Sequence, residues 1–278
     1  MDPRKYYKDK YRMEYKGVIE PKLKHIYRAG IVALDRFKKI ESFLYKGAKI
    51  LDIGSGGGEF MYLLTKLGYE TTGIEPNIGY AKYSRREYGL NIITGLVEDI
   101  DMSASEYDVV TMWHVLEHTD NPFLVLSHIN RWLKNEGTLF IEVPNVEAIC
   151  QAPINRFHFA HLYSFNLKTV EKIGIKAGFY PIVQEISADG GNLFIIFQKT
   201  KVDKVQDNWK IKGNAQNIIK ILKKHTNIHH YISPYPYSRF LKKIKRIINE
   251  RKAIRGFSRG KEILDYYYNK EILHFKLD

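Results

Sequence analysis

The sequence predicts an α/β protein built on a doubly wound, mostly parallel sheet with an antiparallel last strand. Three observations predict it. Five apolar, strand-like runs alternate with helical ones between residues 47 and 166. Four glycines, Gly54, Gly56, Gly57 and Gly58, crowd together directly after the first run. Residues 180–199 then read as a hairpin, "YPIVQEIS", the turn "ADGGN" and "LFIIFQK". Strands alternating with helices call for a parallel sheet covered on both faces, and a hairpin adds an antiparallel element at its edge.

The elements follow in order. Residues 22–45 carry Leu23, Ile26, Tyr27, Ile31, Leu34, Phe37 and Ile40 at helical spacing. "AKILDIG" is the first strand, and "EFMYLLTKL" a helix that stops at Gly68. "YETTGIEP" is the second strand, stopped by Pro76, and "IGYAKYSRREY" a helix ending at Gly89. "LNIIT" and "YDVVTMW" are the third and fourth strands. Asn121 and Pro122 open the helix "NPFLVLSHINRWL" as N-cap and first helical residue. "GTLFIEVP" is the fifth strand, residues 144–164 are irregular, and "NLKTVEKIGIKA" is a helix ending at Gly178.

Charge divides the chain into three. Residues 201–278 hold 19 Lys+Arg against 7 Asp+Glu, and residues 1–46 hold 13 against 6. The middle, 47–200, holds 12 against 18. The expected organisation is therefore a basic N-terminal segment and helix (1–46), a ligand-binding α/β domain (47–200) and a basic helical extension (201–278). Basic flanks suit an anionic partner, although a solvated lysine-rich surface has the same composition. No apolar run reaches the ~18 residues that span a bilayer. The N-terminus has no apolar stretch, so no secretory signal is expected. The single cysteine, Cys150, excludes an intrachain disulfide. A cytoplasmic location is the expectation.

Ligands of doubly wound folds bind at the carboxyl ends of the strands, where glycines let the backbone come close. A dinucleotide fingerprint needs G-x-G-x-x-G, but counting from Gly54 through Gly56 leads to Glu59. An acid there would repel a pyrophosphate from the helix N-terminus. A cofactor with positive charge and no phosphate fits better, such as S-adenosylmethionine.

"LDIGSGGG" resembles the first motif of class I S-adenosylmethionine-dependent methyltransferases. "GIEPN" is similar to the end of their second strand, and "YDVVTMWHVLEHTDNP" to the fourth-strand motif of a subgroup with ubiquinone-pathway and sugar O-methyltransferases. "LKNEGTLFIEVPN" and "HLYSFNLKTVEKIGIKAGF" continue the likeness, which covers roughly residues 25–200. The resemblance implies a seven-stranded sheet and a cofactor site of Asp52, Gly54, Ser55, Gly56, Glu75, Pro76, Leu96, Val97 and Trp113. Glu75 would hold the ribose hydroxyls. An acid for adenine is often found where this chain has Leu96, so backbone near Leu96 and Val97, or Glu98 or Asp99, would take that part.

Methyl transfer to a hydroxyl needs a base, and histidine is the usual one. "HVLEH" supplies His114, Glu117 and His118 just past the fourth strand, and His158 and His161 lie after the fifth. The base is expected at His118 or His161, with Glu117 beside it. The alternative is that Glu117 and His118 brace the loop. "HVLEH" also resembles the E-x-x-E-H motif that holds a divalent ion in small-RNA 2′-O-methyltransferases and ubiquinone-pathway enzymes. A histidine in place of its first acid leans toward zinc, iron or manganese. An H-x-x-E-H metallopeptidase is not expected, because the segment leaves a strand.

Three functions stay open on the sequence. One is methylation of a hydroxyl on a small molecule or surface glycan, including an anionic one. Another is RNA methylation using the basic flanks, though no RNA-binding signature is present. The third is a cofactor-binding interaction module without catalysis. In the tail, His225, His229 and His230 are expected at the surface. "SRFLKKIKRIINERKAIRGF" reads as a basic amphipathic helix, with Phe240, Leu241, Ile244, Ile247 and Ile248 on one face. That face would pack on the protein's own core or meet a membrane surface or another partner.

Overall fold

A computed structural model describes residues 20–200 and 209–275. Residues 1–19 of the basic N-terminal segment, 201–208 and 276–278 lie outside the described residues. Seven strands form one sheet in the order β3-β2-β1-β4-β5-β7-β6. They are β1 (Lys49–Ile53), β2 (Glu70–Glu75), β3 (Asn91–Thr94), β4 (Tyr107–Trp113), β5 (Leu133–Pro144), β6 (Phe179–Ile186) and β7 (Asn192–Lys199). β1, β2 and β3 pair in parallel, as do β4 and β5, while β7 runs antiparallel to both β5 and β6. The mostly parallel sheet with an antiparallel strand is the one the sequence predicts. Two compact units emerge, one of residues 1–101 with 245–278, the other of 102–244.

In the first unit, α1 (Leu23–Ile40) packs on α2 (Glu59–Lys66). Every residue of β1 after Lys49 is buried, as a strand covered on both faces requires. α2 ends in a Schellman turn: Tyr69 N–H reaches the Leu64 carbonyl at 3.1 Å around Gly68, whose φ is 91°. α3 (Ile78–Tyr88) opens where the Asn77 side chain accepts the Tyr80 N–H at 3.0 Å, and closes at Gly89. The register Ile53↔Ile74 and Glu75↔Thr94 brings the carboxyl ends of β1, β2 and β3 to one edge.

The last helix of the chain, α9 (Gly260–Phe275), completes this unit. Ile263, Leu264 and Tyr268 on it are fully buried. A Cβ on Gly30 of α1 would stand 2.6 Å from the Leu264 side chain, so the missing side chain is what admits α9. The Tyr268 hydroxyl donates to the Glu59 carbonyl at 2.8 Å, and the Tyr62 hydroxyl to Asp265 at 2.6 Å. Just before it, Glu250 takes both arms of the Arg28 guanidinium, at 2.7 and 2.9 Å. These hydrogen bonds hold the Glu250 carboxyl below the usual carboxylate range, against the opposing effect of its burial.

In the second unit, α4 (Pro122–Trp132) is capped by Asn121 as predicted, its side chain accepting the Leu124 N–H. α5 (Leu167–Lys176) begins with a capping box between Asn166 and Thr169. β5 starts four residues earlier than "GTLFIEVP" suggests. Tyr107 pairs with Leu133 and Val109 with Thr138, so the register shift between them absorbs three extra residues of β5, in a stretch where Glu136 has a φ of 63°. α6 (Asn214–Lys224), α7 (Asn227–Ile232) and the start of α8 (Tyr235–Ala253) also belong here. Asn214 exchanges hydrogen bonds with Asn166, and Arg239 donates to the Cys150 carbonyl. His225 and His230 are buried, contrary to the surface position expected for them, because their rings pair edge to face at 5.5 Å and His225 meets Arg156. His229 is exposed.

The seat of α9 gives the first prediction. Tyr268→Ala should cost about 3–5 kcal/mol of stability, the usual loss for emptying a buried aromatic site. Tyr268→Phe should cost about 1 kcal/mol, one hydrogen bond. Thermal denaturation of the two variants checks this, and an unshifted melting curve for Tyr268→Ala would show that α9 does not stabilise the unit.

Candidate functional site

Two constellations stand at carboxyl ends of strands, one in each unit. The first surrounds the glycine loop. Gly54, Gly56 and Gly58 all have left-handed backbones, with φ of 73°, 60° and 83°, which other residues adopt only under strain. At Gly57 the Glu59 carboxylate folds back over the backbone, 2.5 Å from where a Cβ would stand. The loop is stapled to the neighbouring strand. Gly54 and Ser55 N–H both reach the Ile74 carbonyl, and Gly56 N–H donates to the buried Glu75 carboxylate at 2.7 Å. The other Glu75 oxygen accepts the Asn77 N–H at 2.9 Å.

Asp52 is buried in β1, one residue before its end. The Ser55 hydroxyl is buried with no hydrogen-bond partner among the described residues. Pro76 follows β2 directly. Leu96 leads into, and buried Val97 begins, a 3-10 turn of Val97–Asp99 just past β3. Eight of the nine residues implied by the resemblance thus gather at the edge where β1, β2 and β3 end. The ninth, Trp113, is the last residue of β4 in the other unit, buried and stacked on Phe194 at 5.8 Å.

The second constellation follows β4. Glu117, His118 and His161 each offer one ligand atom, all within 4.8 Å of one another. His118 and His161 are 43 positions apart in sequence, and the irregular stretch after β5 closes the distance. Tyr163 N–H donates to the Glu117 carbonyl and the Tyr163 hydroxyl to the Asp120 carbonyl. His118 Nδ1 lies 2.9 Å from the Ala160 carbonyl oxygen. A carbonyl can only accept, so Nδ1 carries a proton, and Nε2 is the nitrogen left to exchange one.

That Nε2 lies 3.8 Å from the Glu117 carboxylate. Glu117 is 1% exposed, and its carboxylate is held by ion-pair contacts rather than by short hydrogen bonds. The rings of His118 and His161 meet edge to face at 4.8 Å. Burial, with the neighbouring His118 adding to it, pulls His161 down to about 4. A neutral His161 therefore also presents a lone pair. Three ligand atoms this close together, one carboxylate and two imidazole, are a donor set that suits a divalent cation.

His114 sits differently from the expectation that grouped it with possible ligands. Its φ is 57°, an unusual value for a non-glycine residue and one often found at functional sites. Its Nε2 meets Glu142 at 3.1 Å and its Nδ1 faces Glu117 at 3.5 Å. Burial alone would lower its pKa, but the two carboxylates outweigh burial and raise it to about 9. At neutral pH it is an imidazolium that compensates the charge of Glu117. Sequence reasoning missed Glu142. The available signal was an acid between the buried Ile141 and Val143 near the end of an apolar strand.

A family model described as a methyltransferase domain matches residues 26–206. Among curated proteins, a ubiquinone biosynthesis O-methyltransferase of Methylococcus capsulatus is 34% identical over 36% of this chain and 44% of its own. One of Erwinia tasmaniensis is 30% identical over 46% of this chain and 54% of its own. The chain thus spans about half the length of these relatives. A solved S-adenosylmethionine-dependent methyltransferase of Aquifex aeolicus superposes with a TM-score of 0.50 at 17% identity, over 72% of this chain and 100% of that one. The last comparison supports the fold.

The bridging position of His114 is testable without any substrate. NMR titration should find its ring protonated at pH 7, with a midpoint near 9 against the ordinary 6.5. Because the folded value is raised, its stabilising effect is complete below about 6.5 and fades as pH rises through about 9. Glu142→Gln should lower the midpoint clearly, and an unshifted midpoint would place His114 outside this bridge.

Proposed function

The chain belongs to the class I S-adenosylmethionine-dependent methyltransferases, and from that premise we propose that it methylates a hydroxyl oxygen of a small molecule, with His118 taking the proton. The observation that carries this reading is the tautomer of His118, whose Nδ1 donates to the Ala160 carbonyl and so leaves Nε2, 3.8 Å from the buried Glu117 carboxylate, as the proton acceptor. The names of the curated relatives, O-methyltransferases of ubiquinone biosynthesis, support oxygen as the acceptor atom.

S-adenosylmethionine supplies an electrophilic methyl group on a positively charged sulfur. The glycine loop fits such a molecule. Its left-handed glycines leave room for close approach, and the buried Ser55 hydroxyl has hydrogen-bonding capacity to spare. Gly54, Ser55 and Gly56 would hold the cofactor by backbone and hydroxyl, with Asp52 and Pro76 shaping the same edge. Glu75 would accept from the ribose hydroxyls, since each of its oxygens accepts one N–H and has a second lone pair. Leu96 and Val97 would meet the adenine.

On the acceptor side, His118 Nε2 takes the hydroxyl proton as the oxygen gains its methyl group. The imidazolium so formed is stabilised by the Glu117 carboxylate and by Nδ1–H on the Ala160 carbonyl. His161 stays neutral and orients the hydroxyl. His114, cationic and tied to Glu142, keeps Glu117 in place. A second reading has an observation of its own: Glu117, His118 and His161 have the spacing and donor set of a divalent-metal site. An ion held there would lower the pKa of the acceptor hydroxyl.

Two measurements test these assignments. A carboxylate accepting ribose hydroxyls makes bonds of about 1.5–3 kcal/mol each. Calorimetry should therefore show at least ~10-fold weaker S-adenosylmethionine binding by Glu75→Ala. Unchanged affinity removes Glu75 from the site. For the acceptor side, methyl-labelled cofactor incubated with cell extract and protein identifies the product by mass spectrometry. His118→Ala should then lower turnover ~10²–10⁴-fold, with cofactor affinity near wild type. Wild-type turnover would exclude His118. Loss of activity on chelation, restored by one divalent ion, would establish the metal reading instead.

A further inference from the structure

We propose that α8 is a docking face for an anionic lipid bilayer. Tyr237, Phe240, Leu241, Ile244, Ile247 and Ile248 fall at one helical stripe along it. All six are exposed, from 37% at Ile247 to 66% at Leu241. Glu250 is the one buried residue of the helix, and it is spent on Arg28. The apolar stripe therefore does not serve the protein's own core, which was one of the two roles open to it on the sequence.

The charge around the stripe selects the occupant. Lys242, Lys243, Lys245 and Arg246 are exposed between the apolar positions, and Arg251 and Lys252 continue the basic side. The only acid of α8 is the buried, paired Glu250, so its exposed surface is purely cationic beside an apolar strip. An anionic bilayer offers both complements, phosphate headgroups for the lysines and acyl chains for the stripe. A nucleic acid would use the lysines but leave Leu241, Ile244, Ile247 and Ile248 in water. Just before α8, α7 adds Ile228, Tyr231 and Ile232, which are 77%, 59% and 76% exposed. No described helix is long and apolar enough to cross a membrane, so the mode of binding is a helix lying at the headgroup level. Arg239, hydrogen-bonded to the Cys150 carbonyl, anchors the beginning of the helix to its own unit.

The test is co-sedimentation of the full chain with vesicles, without cofactor or acceptor, so that it is independent of the methyl-transfer reading. The protein should pellet with phosphatidylcholine vesicles carrying phosphatidylglycerol and stay in solution with phosphatidylcholine alone. Added salt should weaken binding without abolishing it, because the apolar stripe contributes a part that is not screened. Lys242→Glu with Lys243→Glu, and separately Phe240→Ser with Leu241→Ser, should each reduce partitioning at least ~10-fold. Both pairs are exposed, so melting temperatures should stay at the wild-type value. Absence of preference for the anionic vesicles, or unchanged binding by both variants, would overturn the proposal. So would RNA binding, or dimerisation lost on Phe240→Ser, in a protein that ignores vesicles.

Discussion

The first unit is organised around one buried carboxylate. Glu75 ends β2 and holds two backbone N–H groups, one from the glycine loop and one from the turn into α3. A buried carboxylate is costly unless it is hydrogen-bonded, and the loop supplies those bonds only in the conformation that left-handed glycines allow. Strand register, glycine placement and the acid at position 75 are therefore one constraint seen from three sides.

The second unit is organised by compensating charges. Glu117 is a buried carboxylate, which would be unfavourable in isolation. His114 and Glu142 build a cationic bridge behind it, and His118 and His161 stand on its other side. The left-handed backbone at His114 is part of this arrangement. A positive φ and a buried carboxylate held by ion pairs thus meet at one place.

The tail of the chain has two physical characters. α9 hides Ile263, Leu264 and Tyr268 and packs on α1 at Gly30. Its Tyr268 holds the carbonyl of Glu59, the first residue of the helix that follows the glycine loop, so α9 steadies the start of that helix. α8 exposes its apolar residues instead. Charge separates the two helices, since α9 carries Glu262, Asp265 and Glu271 whereas Glu250 is the one acid of α8.

Local sequence determined much of this protein. Apolar runs, glycine stops, the Asn121 cap and the "LDIGSGGG" loop set the elements, and their alternation set a parallel sheet. These are short-range effects of backbone freedom and periodic burial, so they can be read along the chain. Glu75 and "HVLEH" were also legible, because acids and histidines at strand ends are rarely there for packing. Tertiary structure decided what depends on distant partners. It paired Glu142 with His114 and set His118 on Ala160, which fixes its tautomer. It buried His225 and His230, and it chose α9 over α8 for the core. In each case the deciding quantity is the position of a group far away in sequence, and no periodicity or spacing along the chain encodes it.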